Sequence, residues 1–201
     1  MKKRIGLLGG SFNPAHSGHL HISRLALERL RLDELWWLVS PQNPLKPEAG
    51  MAPLAERLET ARAVAAGEAI QVTDMERELG TRYTVDTLRA LRKRFPDARF
   101  VWLMGADILQ QIPRWKDWRA IFRTVPIAVF PRPTYSFKAL SGRAARRFAG
   151  ARVRASRAGA LAAMRPPAWV FLRTPPIAIS ARRIRAQRET PRDRRGRGET
   201  D

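Results

Sequence analysis

The chain has no cysteine. A disulfide framework, a thiolate metal site and a cysteine nucleophile are excluded together. Histidine is nearly as scarce. The three present are His16, His19 and His21, so a zinc site would be short of ligands. Long apolar runs are missing too. The longest near the N-terminus, Leu35–Val39, falls far below the ~20 residues of a membrane span. Met1-Lys2-Lys3-Arg4-Ile5 is basic but leads into no extended apolar stretch or cleavage region, so it does not read as a secretory signal. A cytoplasmic location is the default expectation. Acids are few, 18 against 38 bases, and only six of those bases are lysine. No internal repeat is visible.

What is present is a 201-residue chain, 44 % hydrophobic, with a formal net charge of +20. That length suits one domain and that hydrophobic content a real core. The charge is uneven. Residues 139–201 hold 16 arginines and 4 acids. Solvated charge from an arginine-rich codon bias, a polyphosphate ligand and nucleic acid all stay open on composition alone.

Lys3–Leu8 reads as a strand running into Gly9-Gly10. A helical stripe of Leu20, Leu27 and Leu30 follows, widened by Ile22, Leu25 and Ala26. Leu35–Val39 is continuously apolar, as in a strand covered on both faces. Residues 40–53 carry four prolines and form a long loop, a length that tends to be functional. Helices are expected over Leu54–Ala66, Tyr83–Phe95, Trp115–Phe122, Arg143–Phe148 and Ser180–Gln187, and strands over Ala69–Thr73, Arg99–Met104, Ile127–Phe130 and Trp169–Leu172. The alternation predicts an α/β, Rossmann-like, doubly wound fold with a mostly parallel sheet and helices on both faces. Residues 1–188 are expected to form a single domain and 189–201 a disordered basic tail. Ligands of such sheets bind beyond the carboxyl ends of the strands.

After the first strand comes Gly9-Gly10-Ser11-Phe12-Asn13-Pro14-Ala15-His16-Ser17-Gly18-His19. It is neither a G-x-G-x-x-G fingerprint nor a P-loop. It offers two glycines that allow close backbone approach and two histidines at a helix start. Unpaired N–H groups and the positive dipole end there attract phosphate. Imidazoles at i and i+3 share a face and can both donate to phosphate oxygens.

This segment resembles the signature of the H-x-G-H nucleotidyltransferase superfamily, and within it the nicotinate-nucleotide adenylyltransferase family. Asn43-Pro44-Leu45-Lys46-Pro47 is similar to the family's N-P-x-K loop, and Tyr83-Thr84-Val85-Asp86-Thr87-Leu88 to its Y-T-V-D-T-L segment. Gly105-Ala106-Asp107 and Trp115-Lys116-Asp117-Trp118 match its G-A-D and W-x-x-W elements. Ile179-Ser180-Ala181-Arg182-Arg183-Ile184-Arg185 stands where the family has I-S-S-T-x-I-R. The matches run in order from residue 5 to 185. Ala181 and Arg182 replace two hydroxyl residues of the family, so two hydroxyl donors are missing at that helix start; Ala15 replaces a common proline.

The resemblance implies ATP and nicotinate mononucleotide as substrates, with Mg²⁺ entering alongside ATP and no protein-only metal site. It implies transfer of AMP by direct in-line attack, without a covalent intermediate, giving nicotinate adenine dinucleotide and pyrophosphate. Charge neutralisation and positioning would carry catalysis. By this carry-over His16, His19 and Arg185 are catalytic. Gly9, Gly10, Ser11, Phe12, Gly18, Gly105, Asp107, Ile179 and Ser180 join them in holding ATP. Asn43, Lys46, Thr84 and Trp115 hold the mononucleotide, Thr84 through N–H groups at a helix start and Trp115 by stacking on the pyridine ring. Plainer roles stand beside these: a helix cap for Asp107 and Thr84, a solvated cation for Lys46, a half-buried aromatic for Trp115. Asp86, Trp36 and Trp37 read as structural.

Four other readings remain. A phosphopantetheine adenylyltransferase or cytidylyltransferase sibling would lack the Tyr83–Leu88 and Trp115–Trp118 segments. A sibling using nicotinamide mononucleotide is separated less cleanly. An aminoacyl-tRNA synthetase relative is disfavoured by the length and by the lack of a K-M-S-K-S-like loop. A nucleic-acid module would interleave basic and aromatic residues, whereas the aromatics here fall in apolar strands; nucleic acid and membrane are not expected partners. Monomer and homodimer are both open.

Overall fold

The computed structural model describes residues 2–41, 50–131 and 136–172. Within them β1 (Lys3–Gly10), β2 (Glu34–Val39), β3 (Ile70–Thr73), β4 (Ala98–Gly105), β5 (Ile127–Phe130), β6 (Arg152–Val153) and β7 (Trp169–Phe171) form one sheet in the order β3-β2-β1-β4-β5-β7-β6. Every pairing among the described residues is parallel. Parallel strands need crossovers, and α1 (Ser17–Arg29), α2 (Leu54–Ala65), α3 (Met75–Glu78), α4 (Thr84–Arg94), α5 (Ala106–Gln111), α6 (Trp118–Thr124), α7 (Ser136–Leu140) and α8 (Arg143–Arg147) lie along them.

The strand residues alternate between two cores. Leu8, Leu35, Trp37, Val39, Val101, Leu103 and Phe130 pack with α1 and α2 on one face. Ile5, Leu7, Trp36, Leu38, Trp102 and Met104 pack with α4, α5, α6 and α8 on the other. Covering both faces explains why β2 reads as an unbroken apolar run. Strand order reverses at β1, which has β2 on one side and β4 on the other. The crevice where ligands bind such sheets therefore opens beyond Gly10 and Gly105.

Several sequence expectations are corrected. β1 does not stop at Leu8: Gly9 pairs with Leu38 and Gly10 with Val39. The buried stripe of α1 is Ser23 and Ala26, continued by Leu30, whereas Leu20 and Leu27 are only partly buried. Small residues let the helix lie close to the sheet, and Trp37 supplies the missing volume. The helix expected to begin at Trp115 begins at Trp118, because Asp117 takes a left-handed φ of 45° and turns the chain before it. The arginine-rich stretch after Leu140 is part of the sheet edge. It supplies α8, β6 and a run of 3₁₀ turns over Ala155–Ala163, whose Ala158, Leu161 and Ala162 are buried while Arg157 is exposed. The helices α3, α5 and α7 are too short to show a helical period. The expected helix over Ser180–Gln187 and the tail over 189–201 lie outside the described residues.

Candidate active site

Leu8 is the last position where β1 pairs with strands on both sides, and Gly9 follows it, paired with β2 alone. A Cβ at Gly9 would run into the ring of Trp102 on β4, so glycine leaves that ring room to lie over the end of β1. The chain then rises into Ser11 and Phe12. Phe12 is buried and holds a left-handed φ of 45°, a conformation that costs on the order of 1–3 kcal/mol for a bulky residue. Its ring is held by neighbours on two elements, Trp37 at 5.0 Å between centroids and His19 at 4.7 Å. The Asn13–Pro14 peptide that follows is cis.

The two histidines close the start of α1 on themselves. His16 is the N-cap, and its Nδ1 accepts the backbone N–H of Gly18 at 3.1 Å. Nδ1 of His19 accepts the backbone N–H of His16 at 3.2 Å. A backbone N–H can only donate, so both Nδ1 atoms are acceptors. In the neutral rings both protons therefore sit on Nε2, as phosphate donors require. The rings stack with centroids 3.9 Å apart. His19 lies on the sheet-facing stripe of α1 with Ser23, whose hydroxyl donates to the His19 carbonyl and accepts the indole N–H of Trp37, each at 2.8 Å. Trp37 thus backs both Phe12 and His19. It is structural, as expected, and also positions the site.

The register Leu8–Leu103 brings β1 and β4 side by side. Two residues further on stand Gly10 and Gly105. Gly105 is the N-cap of α5, and Asp107 lies in that helix's first turn. The capping alternative for Asp107 therefore does not hold. His16, His19, Phe12, Gly105 and Asp107 thus sit at the ends of two adjacent strands, around the switch point.

Of the expected mononucleotide residues, Thr84 opens α4 and Trp115 lies in the segment that Lys116 ties to it. The N-cap of α4 is Tyr83, without a side-chain cap bond, so Thr84 is the first helical residue and not the cap. Asp86 and Thr87 donate their amides to the Tyr83 carbonyl, while those of Thr84 and Val85 have no carbonyl partner among the described residues. Such first-turn amides are open to an anion. Trp115 follows a 3₁₀ turn over Ile112–Arg114 in extended backbone. It is half-buried, and its indole N–H has no partner among the described residues. Lys116 ties this segment to α4, with Nζ 3.0 Å from Asp86 and 4.6 Å from the Tyr83 ring centroid. Nearby, Pro41, Glu76, Thr81 and Arg82 line a cavity of about 320 Å³. Glu76 is buried, and desolvation pushes its carboxyl above the ordinary value, opposed in part by a hydrogen bond with Ser40. Asn43, Lys46, Ile179, Ser180 and Arg185 lie outside the described residues, as do Ala181 and Arg182.

One residue escaped the reading of the sequence. Arg57 is 2 % exposed in α2 and forms no ion pair among the described residues. Its guanidinium donates to four carbonyls: Ala52 at 2.9 Å, Ser11 at 2.7 Å, Ser40 at 2.8 Å and Pro41 at 2.9 Å. Burial lowers its pKa from the ordinary value, yet the group stays charged. One sequence signal marked it: Arg57 sits one position before Leu58 and four before Ala61, on the apolar side of α2.

Residues 7–187 match the cytidylyltransferase-like family. A protein from Gluconacetobacter diazotrophicus, described as a probable nicotinate-nucleotide adenylyltransferase, is 54 % identical over 193 residues, covering 96 % of this chain and 90 % of its own length. One from Parvibaculum lavamentivorans with the same description is 54 % identical over 182 residues, with 90 % of each chain covered. The fold is similar to that of the Plasmodium falciparum nicotinic acid mononucleotide adenylyltransferase solved with NaAD. The TM-score is 0.69 at 16 % identity, over 92 % of this chain and 83 % of that one. A fold with β1 and β4 meeting at a histidine-capped helix, and relatives identical at half of all positions, lead to one conclusion: the chain belongs to the cytidylyltransferase-like nucleotidyltransferases and, among them, to the nicotinate-nucleotide adenylyltransferase family.

Proposed function

We propose that the chain transfers AMP from ATP to nicotinate mononucleotide, releasing pyrophosphate and forming nicotinate adenine dinucleotide for NAD biosynthesis. The observation that carries the reading is the reciprocal cap of His16 and His19. It sets the proton of each neutral ring on Nε2 at the strand ends, the place where such sheets bind ligands. The mononucleotide's phosphate is already an oxyanion, so it attacks the α-phosphorus of ATP directly and in line, and pyrophosphate departs. No covalent intermediate is needed. His19 donates to the α-phosphate as charge builds, and His16 donates to its neighbours. The amides of Gly10, Ser11 and Phe12 cradle the same group, with Gly9 and Gly18 allowing close approach. Asp107 accepts from ribose hydroxyls. Thr84 and Trp115 take the nicotinate carboxylate and ring, with Asn43 and Lys46 contributing from their loop. Ser180 and Arg185, with Ile179, hold the leaving pyrophosphate. Mg²⁺ belongs to this reading as part of MgATP, held mainly by phosphate oxygens, where it supplies charge neutralisation.

Pyrophosphate release with ATP and either the mononucleotide or its amide tests the reading. Equal or better use of the amide overturns the substrate, and no product with either overturns the reaction. His19→Ala should remain folded, lose about 1 kcal/mol with its cap contact, and lose at least ~10²-fold in kcat. A near-normal rate would remove His19 from the mechanism.

A further inference from the structure

We infer that Arg57 is a positioning residue for adenylyl transfer: its guanidinium fixes the Ser11–Phe12 peptide so that the Phe12 amide faces the reacting phosphate. The inference rests on the proposed phosphate role of that loop.

Cis peptides among the described residues occur only at Asn13–Pro14 and Pro166–Pro167, so Ser11–Phe12 is trans. In a trans peptide the C=O and the following N–H point in opposite directions. Nη1 of Arg57 holds the Ser11 carbonyl at 2.7 Å, so the Phe12 N–H is turned away from Arg57 and α2. The side chain of Phe12 is also held, because its ring stacks on Trp37. A carbonyl fixed on one side and a ring fixed on the other leave the backbone little freedom, and Phe12 adopts its left-handed φ.

The same guanidinium does more than hold one peptide. Nη1 also reaches the Ser40 carbonyl, Nη2 the Pro41 carbonyl and Nε the Ala52 carbonyl. The exits of β1 and β2 and the chain entering α2 are thereby set against one another. The Ser40 amide closes the ring by donating to Gly10 at 2.9 Å. Asn13 joins the same chain segment, donating to Gly50 at 2.9 Å and accepting from Ala52 at 3.3 Å. Among the described residues these contacts use four of the five guanidinium N–H groups. A lysine at this position would keep the charge but has three donors on one nitrogen and cannot span the fork.

The test compares Arg57→Lys and Arg57→Gln with the wild-type chain in the pyrophosphate-release assay, with circular dichroism and thermal unfolding measured in parallel. A positioning role predicts a folded Arg57→Lys variant whose kcat falls ~10²-fold. It also predicts that the preference between the two α-phosphorothioate diastereomers of ATP narrows, a readout that a loss of stability alone does not move. A folded variant with wild-type kcat and unchanged diastereomer preference overturns the inference. Should neither variant fold, amide NMR of the wild-type chain decides it. Titration with a non-hydrolysable ATP analogue should shift the Phe12 amide while the Arg57 Nε–H remains in place. A Phe12 amide that does not respond overturns the inference. A wild-type chain that releases no pyrophosphate fails the proposed reaction instead, and the titration still reports on Phe12.

Discussion

A single nitrogen decides what each histidine can do. With Nδ1 committed to a backbone N–H, His16 and His19 present the same donor atom, and the helix cap that aligns them is built from their own side chains. The H-x-G-H spacing was legible in the sequence, because i and i+3 share a helical face. The tautomer was not legible, since it depends on which backbone groups the fold turns toward each ring. Glu76 carries the residue-scale prediction. Its folded-state pKa is raised above the ordinary 4.5 by desolvation, so folding favours the protonated form. The stabilising contribution is present below that value and fades as pH rises through the raised one. Glu76→Gln should therefore gain stability relative to wild type as pH is raised from 4 to about 7. Urea midpoints at the two pH values measure this; a constant difference would show that the carboxyl is not perturbed.

At the scale of elements, the strand-to-helix transition after β1 depends on close approach at both ends. Gly9 leaves room for Trp102 of the neighbouring strand. Ser23 and Ala26 let α1 settle onto Trp37. Gly9→Ala should cost about 1–3 kcal/mol through overpacking and displace the loop that carries Ser11 and Phe12. Unfolding midpoints and kcat should fall together, and an alanine variant with both unchanged would show that Trp102 moves aside freely. The glycine pair was visible in the sequence as a motif, but its partner, 93 residues further along, was not. The helix misplaced at Trp115 shows the same limit. Trp115 and Trp118 fit a helical period, and the break came from the left-handed turn at Asp117, which no periodicity records.

For the molecule as a whole, charge is divided along the chain. Every ion pair among the described residues lies within residues 2–116. No acid occurs from 118 to 188. The arginines at the β6 edge, such as Arg152 and Arg154, face solvent and discourage pairing of that short strand with another chain. The family match ends at residue 187, before the last arginines. Cutting the chain after Gln187 should therefore leave kcat within about twofold of wild type. Filter binding of the cut and full chains at two salt concentrations would show whether those arginines hold nucleic acid. A large loss of kcat on truncation would place the tail in the reaction.

The sequence by itself determined the fold class, the H-x-G-H spacing and the order of the family's motifs along the chain. Those depend on local periods and on residue types at short spacing. Only the tertiary structure decided the direction of the imidazole protons, the floor that Trp37 gives to Phe12 and His19, and the four-way grip of Arg57. In each case a side chain on one element sets the backbone or ring of another dozens of residues away, and such a pairing leaves no periodic trace in the chain.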